Sequence, residues 1–235
     1  MQAVPGHRRD STSLVALSKS LFVDAFRFCP VVVLEPFTEA DFPQLIAWMD
    51  SERLLKVCCG AAFTFPLTPE QLRHHLRGAN VPGRSETLAY KALDAQTGQL
   101  IGHIALDNIA WENRTGRIAR VLVGKVPHRG RGYGQAMTQA ALAIGFGQLG
   151  LQRIGLGVYD FNADALRCYE RCGFRHIGTL RHVLRHEEEY WSSVEMSLLA
   201  SEWRAAQGIS AAARGKHPQW QRRRAANAAE RNRAY

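Results

Sequence analysis

The stretch from residue 121 to residue 146 has the residue types of an anion-binding site. A short apolar run leads into a turn rich in Gly and Arg, and helical periodicity follows the turn. The first amides of a helix lack internal partners, and the helix dipole favours negative charge there. Glycines allow close backbone approach, and Arg129 and Arg131 add forked donors. The pattern therefore predicts a site for a phosphate-bearing ligand.

Two common phosphate motifs do not match this stretch. A dinucleotide fingerprint, Gly-x-Gly-x-x-Gly, that starts at Gly130 would need its third glycine at Gln135. One that starts at Gly132 would need it at Met137. The Gly-Lys-Ser/Thr sequence of a P-loop does not occur in the stretch. The remaining pattern is Arg-x-x-Gly-x-Gly after a predicted strand and before a predicted amphipathic helix.

A second pattern lies about 30 residues further on. Residues 162–174 read Asn-x-x-Ala-x-x-x-Tyr-x-x-x-Gly-Phe, with Asn162 as a predicted helix cap and Gly173 at the left-handed position after the helix. Together the two patterns resemble the GNAT superfamily of N-acetyltransferases. Residues 34–41 also resemble the branch that includes ribosomal-protein N-acetyltransferases. The resemblance covers about 31–199.

The resemblance implies that acetyl-CoA is the co-substrate. Its pantetheine arm would bond the free backbone of a strand that is splayed from its neighbour, and amides of 130–134 would hold the pyrophosphate. Asn162 would reach the cofactor near the thioester, and Ala165 would leave room for it. Arg129 and Arg131 would contact phosphate or only hold the loop. The residues that the resemblance assigns to the cofactor are Val121, Leu122, Val123, Arg129, Gly130, Arg131, Gly132, Tyr133, Gly134, Asn162, Ala165 and Tyr169.

Tyr169 is the side chain best suited to the implied chemistry. Acetyl transfer to an amine passes through a tetrahedral intermediate and expels the thiolate of coenzyme A. A phenol with a pKa near ~10 can give a proton to that thiolate as it leaves. We therefore predict Tyr169 as the catalytic acid. The alternative is a helix residue that only faces the core.

The general base is not evident from the sequence. Many members of the superfamily carry a Glu on the strand before the loop, whereas residues 118–120 here are Ile, Ala and Arg. A substrate amine that loses its proton in solution would need no dedicated base. Four other side chains could act directly or through water, namely Glu35, His103, Asp107 and Glu112.

The acceptor follows from the resemblance only as a class. It would be a protein N-terminal amine, a polyamine or another small amine, and loops rather than fold would select it. The three acids at 187–189 could attract a cationic amine or form a solvated turn. Four aromatic residues could wall the acceptor site or belong to the core, namely Phe63, Phe65, Trp111 and Trp191.

Two other functional classes are left open. A non-catalytic acyl-CoA-binding regulator is compatible with the missing strand Glu. An RNA- or ribosome-associated protein could use the basic residues after 200. This tail could also deliver an enzyme to a ribosomal substrate. The oligomeric state is likewise open, with a homodimer as one option.

Charge divides the chain into three parts. Residues 31–200 carry 18 Lys and Arg against 17 Asp and Glu, so most of the net charge of +9 lies outside them. We predict an extension at 1–30, an N-acetyltransferase domain at 31–200 and a basic tail, helical or disordered, at 201–235. The basic pI therefore describes the tails and does not make the domain a nucleic-acid binder.

The five cysteines predict a reducing compartment. Their number is odd and their spacing fits neither a disulfide framework nor a zinc site, which favours the cytoplasm. Cys168 and Cys172 could share a helix face, but two thiols without further ligands are a weak metal signal, so we expect no metal. No apolar run approaches the ~18 residues of a membrane span, so we expect no membrane association.

The periodicities predict an α/β sandwich with a mixed sheet, and the resemblance implies a mostly antiparallel sheet flanked by helices. Residues 54–65 are expected to be irregular, and residues after 199 are expected to form a solvated tail in preference to a helix. The predicted helices are 39–50, 69–78, 133–146 and 163–172, and the predicted strands are 31–34, 87–93, 100–107, 117–123, 154–159, 174–184 and 190–199.

Overall fold

A seven-stranded sheet forms the centre of the fold. The computed structural model of the protein describes residues 32–124 and 132–208. The strand order is β1-β2-β3-β4-β5-β7-β6, and every neighbouring pair is antiparallel except β4 and β5. The prediction of a mixed, mostly antiparallel sheet flanked by helices is confirmed. The strands are β1 (Val32–Pro36), β2 (Leu88–Asp94), β3 (Leu100–Ala110), β4 (Thr115–Val123), β5 (Arg153–Tyr159), β6 (Arg175–His186) and β7 (Glu189–Leu199).

Helices cover both faces of the sheet. On one face α1, α2 and α3 enclose an apolar cluster that includes Leu55 and Leu122, and on the other face α4, α5 and α6 enclose a larger cluster. None of the helices in the described part of the chain is long and apolar enough to cross a bilayer. The helices are α1 (Phe42–Trp48), α2 (Glu52–Cys59), α3 (Pro69–Leu76), α4 (Tyr133–Leu142), α5 (Ala163–Arg171) and α6 (Ala200–Ala206).

Local capping chemistry sets the helix starts that the sequence predicted. The Thr68 hydroxyl accepts a hydrogen bond from the Gln71 amide at 3.4 Å, and α3 begins at the next residue. The Asn162 side chain accepts from the Ala165 amide at 3.2 Å and starts α5. Gly173 follows α5 with a φ of +95°, which a residue with a Cβ rarely adopts. Both predicted helices are therefore confirmed by the predicted signals.

The interpretation of 54–65 as irregular was wrong for its first half. Residues 52–59 form α2, whose first turn is capped by the Ser51 hydroxyl, which accepts from the Leu54 amide at 3.3 Å. The helix packs on the sheet through the fully buried Leu55. Ser51 followed by Glu52 is a helix-start signal that was available in the sequence. The helix is short, so its periodicity alone did not separate it from a loop.

The folded part continues past residue 200. Residues 200–206 form α6, and its Trp203 side chain is only 4% exposed. The indole ring lies 5.6 Å from the ring of Phe146, which belongs to a π-helical segment at Ala143–Gln148 that continues α4. The boundary expected at residue 200 therefore falls inside the packed structure. The extension at 1–30 and the tail from 209 onward lie outside the described residues.

We predict that Trp203→Ala lowers the free energy of unfolding by about 3 kcal/mol, because it removes a buried aromatic side chain and leaves a cavity. Urea unfolding followed by circular dichroism measures this loss. Arg204→Ala on the same helix is the matched control and should change stability by less than about 0.5 kcal/mol. Equal stability of the two variants would contradict the packing of α6 on the core.

Candidate functional site

The sheet opens between its two parallel strands. β4 and β5 pair only over Thr115–Arg117 and Arg153–Gly155. Beyond these pairs β4 continues to Val123 and β5 continues to Tyr159 without pairing to each other. The two strands therefore diverge and leave a wedge-shaped opening, here called the cleft.

A bulge in β4 accompanies this opening. Ala105 of β3 pairs with Ala119, but His103 pairs with Leu122, so β4 has one extra residue in this interval. Arg120 lies in that interval with a φ of +52°, a strained value for a residue with a side chain. A bulge bends a strand and increases its twist. The bend carries the end of β4 away from β5.

Backbone groups at the end of β4 face the cleft. The Gly124 amide donates to the Ile101 carbonyl of β3 at 2.8 Å. Because successive residues of a strand present their polar groups to opposite edges, Val121 and Val123 present theirs to the cleft. The Val121 carbonyl accepts from the Cys58 thiol of α2 at 3.8 Å, which fits this direction.

Leu122 differs from its two neighbours in this respect. Its carbonyl lies on the β3 side, where a Cβ added to Gly102 would lie 2.5 Å from it. Its side chain is buried among the residues between the sheet and α1–α3. The splayed strand predicted at 121–123 therefore offers a ligand two outward-facing residues and not three.

The start of α4 lies beside the end of β4. A Cβ added to Gly134 would be 3.7 Å from both the Cys168 sulfur and a methyl group of Val123. Gly132 precedes α4 with a φ of +80°, and a Cβ added to it would meet no described atom within 4 Å. Arg129, Gly130 and Arg131 lie outside the described residues.

Tyr133 directs its side chain into the protein. Its hydroxyl donates to the Asp94 carboxylate at 2.7 Å, at the turn between β2 and β3. This hydrogen bond and those from the Thr97 and Gln96 amides lower the pKa of Asp94 to about 2. The predicted contact of Tyr133 with a cofactor would therefore use its backbone amide.

The helix α5 brings Tyr169 to the same region. Ala165, one turn before Tyr169, is partly buried against the core, and the Tyr169 side chain is 9% exposed. Burial raises the pKa of Tyr169 well above its usual value, and neighbouring thiols, Cys58 among them, raise it further. Cys168, the residue before Tyr169, and a Val123 methyl group would both lie 3.7 Å from a Cβ added to Gly134, so α5 adjoins the end of β4. The phenol is protonated at neutral pH.

Three of the four candidate bases are carboxylates that are either ion-paired or exposed to solvent. Burial raises the pKa of Asp107, but hydrogen bonds from Thr87 at 2.6 Å and Arg120 at 2.5 Å outweigh it, and the pKa is lowered overall. Glu35 is exposed on β1 with Lys91 3.8 Å away, and Glu112 is exposed in the turn after β3. Asp107 is thus the ion-pair partner of Arg120 and not a free base.

His103 is buried beneath the bulge. Its Nδ1 lies 3.0 Å from the Arg120 carbonyl, so Nδ1 carries the proton and donates. Burial lowers the pKa of His103 to about 4, and the charge of Arg120 also lowers it. The ring packs edge-on against Phe37 at 4.7 Å. His103 is therefore a neutral core residue at pH 7.

A small polar cluster surrounds Arg120 on the same side of the sheet. Its guanidinium lies 5.9 Å from the ring of Phe63, and its Nε is buried without a partner. His75 Nε2 is likewise buried without a partner, and burial followed by the charge of Arg120 lowers the pKa of His75 to about 4. Among the described residues, no group of three or more His, Cys, Asp or Glu side chains could hold a metal ion.

The four predicted aromatic residues separate in the structure. Phe63 lines the cavity beside Arg120, while Phe65 is exposed. The Trp111 indole donates to the Ser85 carbonyl at 3.0 Å, near the β3–β4 turn. Trp191 packs against Tyr159 at 5.0 Å, at the end of β5. Trp191 is buried in this packing, and a role of any of the four as a wall of the acceptor site stays a prediction.

Comparison with known proteins identifies the family. Residues 32–175 match the family model described as "Acetyltransferase (GNAT) domain". A prophage-derived uncharacterized N-acetyltransferase from Bacillus subtilis (strain 168) is 26% identical over 103 residues, which are 44% of this chain. The chain spans 58% of the length of that relative.

Solved structures show the same fold. Spermidine N-acetyltransferase from Vibrio cholerae in complex with CoA and spermine superimposes with a TM-score of 0.64 at 20% identity, over 74% of this chain and 99% of that chain. A dodecameric structure of spermidine N-acetyltransferase from the same organism gives a TM-score of 0.58 at 20% identity, over 74% and 97%.

We predict that stability falls as the pH is lowered from 7 to 5, partly because of His103. Its folded pKa of about 4 lies below the unfolded value of about 6.5. The unfolded chain therefore binds more protons in this window, and stability is lost as the pH falls. His103→Gln should remove about 1 to 2 kcal/mol of the loss between pH 7 and 5.

Urea unfolding at the two pH values measures this difference. His176→Gln replaces an exposed histidine on β6 and is the matched control. The control should retain the full pH dependence. An equally steep dependence in His103→Gln would show that His103 does not resist protonation.

Proposed function

We propose, from the premise that the chain belongs to the GNAT acetyltransferase family, that it transfers an acetyl group from acetyl-CoA to an amine. The acceptor class includes a protein N-terminal amine, a polyamine or another small amine. The cleft carries this proposal, because the end of β4 lies beside both the start of α4 and α5, the helix that carries Tyr169.

The described residues fit the extended shape of acetyl-CoA. Val121 and Val123 offer backbone groups that a pantetheine arm would bond as an added strand does. The first amides of α4, after Gly132, suit the pyrophosphate, because they lack helical partners and lie at the positive end of the helix dipole. The roles of Arg129, Gly130 and Arg131 stay predictions.

Two residues of α5 complete the proposed cofactor site. The Asn162 oxygen accepts from the Ala165 amide, which holds the start of the helix and leaves the side-chain nitrogen to donate. Ala165 presents a single methyl group at the next turn, where a larger side chain would take room from the thioester. Both roles are proposals that rest on the resemblance.

The reaction proceeds by direct attack. The amine nitrogen bonds to the thioester carbon and forms a tetrahedral intermediate, and the carbon–sulfur bond then breaks. Tyr169 gives its proton to the departing thiolate and regains one from solvent. A raised pKa keeps the phenol protonated until the sulfur develops charge, so it acts as an acid and not as a base.

The acceptor amine loses its proton without a dedicated carboxylate. Residues 118–120, on the strand where many relatives carry a Glu, include no acid, and the guanidinium of Arg120 is neutralised by Asp107. A neutral amine that enters the cleft releases its proton to water after attack. This interpretation agrees with the state of the four candidates, of which Asp107 is ion-paired, His103 is buried and neutral, and Glu35 and Glu112 are exposed.

An acceptor screen monitored by thiol release tests the proposed function. The Vibrio cholerae neighbour was solved with spermine, which supports a polyamine, and the resemblance at residues 34–41 supports a protein N-terminus.

The missing strand acid favours a second candidate, a non-catalytic acyl-CoA-binding regulator. Coenzyme A binding without turnover of any amine would favour that candidate. Ribosome association through the tail stays a prediction, since residues 209–235 lie outside the described part.

We predict that Tyr169→Phe lowers kcat by roughly 100-fold or more while acetyl-CoA still binds, because only the proton of the leaving step is lost. Steady-state kinetics with the best acceptor and calorimetric binding of acetyl-CoA measure the two effects. Tyr190→Phe, at a position 57% exposed on β7, is the matched control and should keep wild-type kcat. An unchanged kcat in Tyr169→Phe would contradict the acid role.

We also predict that the pH dependence of kcat/KM follows the acceptor. Without a dedicated base, the rising limb reports the fraction of neutral amine, so its midpoint should match the pKa of each acceptor. A peptide α-amine, with a pKa near ~8, and an alkyl amine, near ~10, should differ by about two pH units. Identical midpoints for both acceptors would indicate a titrating base on the protein.

A further inference from the structure

The Arg53 side chain is bound in a site made of two aromatic rings and a carboxylate. Its guanidinium carbon lies 5.4 Å from the centre of the Phe161 ring and 5.0 Å from that of Trp191. Its Nη1 lies 3.1 Å from a carboxylate oxygen of Glu189. Phe161, Trp191 and Glu189 are called the cation box below.

The cation box is held in place independently of Arg53. The Trp191 indole donates to the same Glu189 oxygen at 2.9 Å, and the two rings meet edge-to-face at 4.9 Å. Tyr159 stacks on Phe161 at 5.6 Å from the other side. These contacts join β5, the turn after β5 and β7 without Arg53, so the box does not depend on its cation.

The box lies beside the cleft. Tyr159, which stacks on Phe161, is the last residue of β5 and lies beyond the residues of β5 that pair with β4. A Cβ added to Gly60, just after α2, would lie 3.7 Å from the Tyr159 hydroxyl, and Cys58, near the end of the same helix, contacts the Val121 carbonyl in the cleft. The end of α2 therefore borders both the cleft and the surroundings of the box.

We infer that the cation box binds the second cationic group of a diamine acceptor, and that Arg53 occupies it until such an acceptor arrives. An ammonium or guanidinium over Trp and Phe rings beside a carboxylate is the chemistry that the box already shows. An acceptor whose two nitrogens are separated by a few methylenes would have one nitrogen in the box and the other at the thioester. This inference rests on the proposed function and specifies its substrate class.

Arg53 is suited to be displaced. Its side chain is 53% exposed and its partner Glu189 is 60% exposed, so their ion pair is weakened by water and salt. Lys56, the next cation on α2, is paired with Glu52 at 2.7 Å. A cation from solution can therefore replace the Arg53 guanidinium in the box. Because the two groups carry the same charge, Glu189 keeps a cationic partner after the exchange.

The test compares a diamine with a monoamine of equal length, 1,4-diaminobutane and butylamine, in steady-state kinetics. Arg53→Met should lower the KM for the diamine about two- to fivefold, because the competing cation is gone. Phe161→Leu and Glu189→Gln should raise it by a similar factor. The KM for butylamine should stay constant in all three variants. A guanidino amine of the same length shows whether the box also takes a guanidinium.

Two variants elsewhere control for surface charge. Arg73→Met removes an arginine that is 51% exposed and paired with Glu70, and Glu70→Gln removes its partner. Neither should change the ratio of the two KM values. The inference is overturned if the KM values for diamine and monoamine move together, or if neither moves. If the inference fails in this way but both amines are still acetylated, the proposed function stands. If no amine is turned over, the proposed function itself is refuted.

Discussion

The end of the pairing between β4 and β5 is the constraint on which the site depends. The last pair, Arg117 with Gly155, is followed by an ion pair of 2.7 Å that links Arg117 across β5 to Glu195 of β7. Gly157 allows this link, because a Cβ there would lie 2.6 Å from a Glu195 oxygen. This ion pair therefore links β4 to β7 at the point where β4 and β5 separate. Beyond that point the backbone of β4 has no neighbouring strand on its β5 side, and its groups on that side can hydrogen-bond a ligand.

The bulge that bends β4 also explains the buried charge beside it. Arg120 takes a positive φ, and its side chain is directed to the α1–α3 side, where it meets Asp107. Both side chains are less than 15% exposed, so each charge would be costly without the other. Arg120 therefore belongs to the geometry of the strand and not to the chemistry.

Sequence reasoning recovered the parts of the protein that local chemistry determines. The caps Thr68 and Asn162 and the glycine after α5 are read from one or two residues, and the resemblance to the family was carried by such local patterns. The resemblance implied the cleft, but the residues alone did not predict it, because a split between strands depends on pairing partners far apart in the chain. Leu122 shows the same limit. The sequence alone does not say which backbone groups of β4 face the cleft, because that depends on the register with β3.

Sequence reasoning missed α2, the helix that lies beside the cleft and the proposed cation box. α2 is short, and its apolar residues Leu54 and Leu55 occur among charges that suit either a loop or a helix. Its packing against β4 and its contact with β7 place it as a helix that borders both the cleft and the cation box. In the proposed cation box, α2 contacts a residue more than 100 positions away in the chain, since Arg53 pairs with Glu189. For this reason the local patterns at 121–134 and 162–174 indicate the cofactor, while the acceptor must be argued from tertiary contacts.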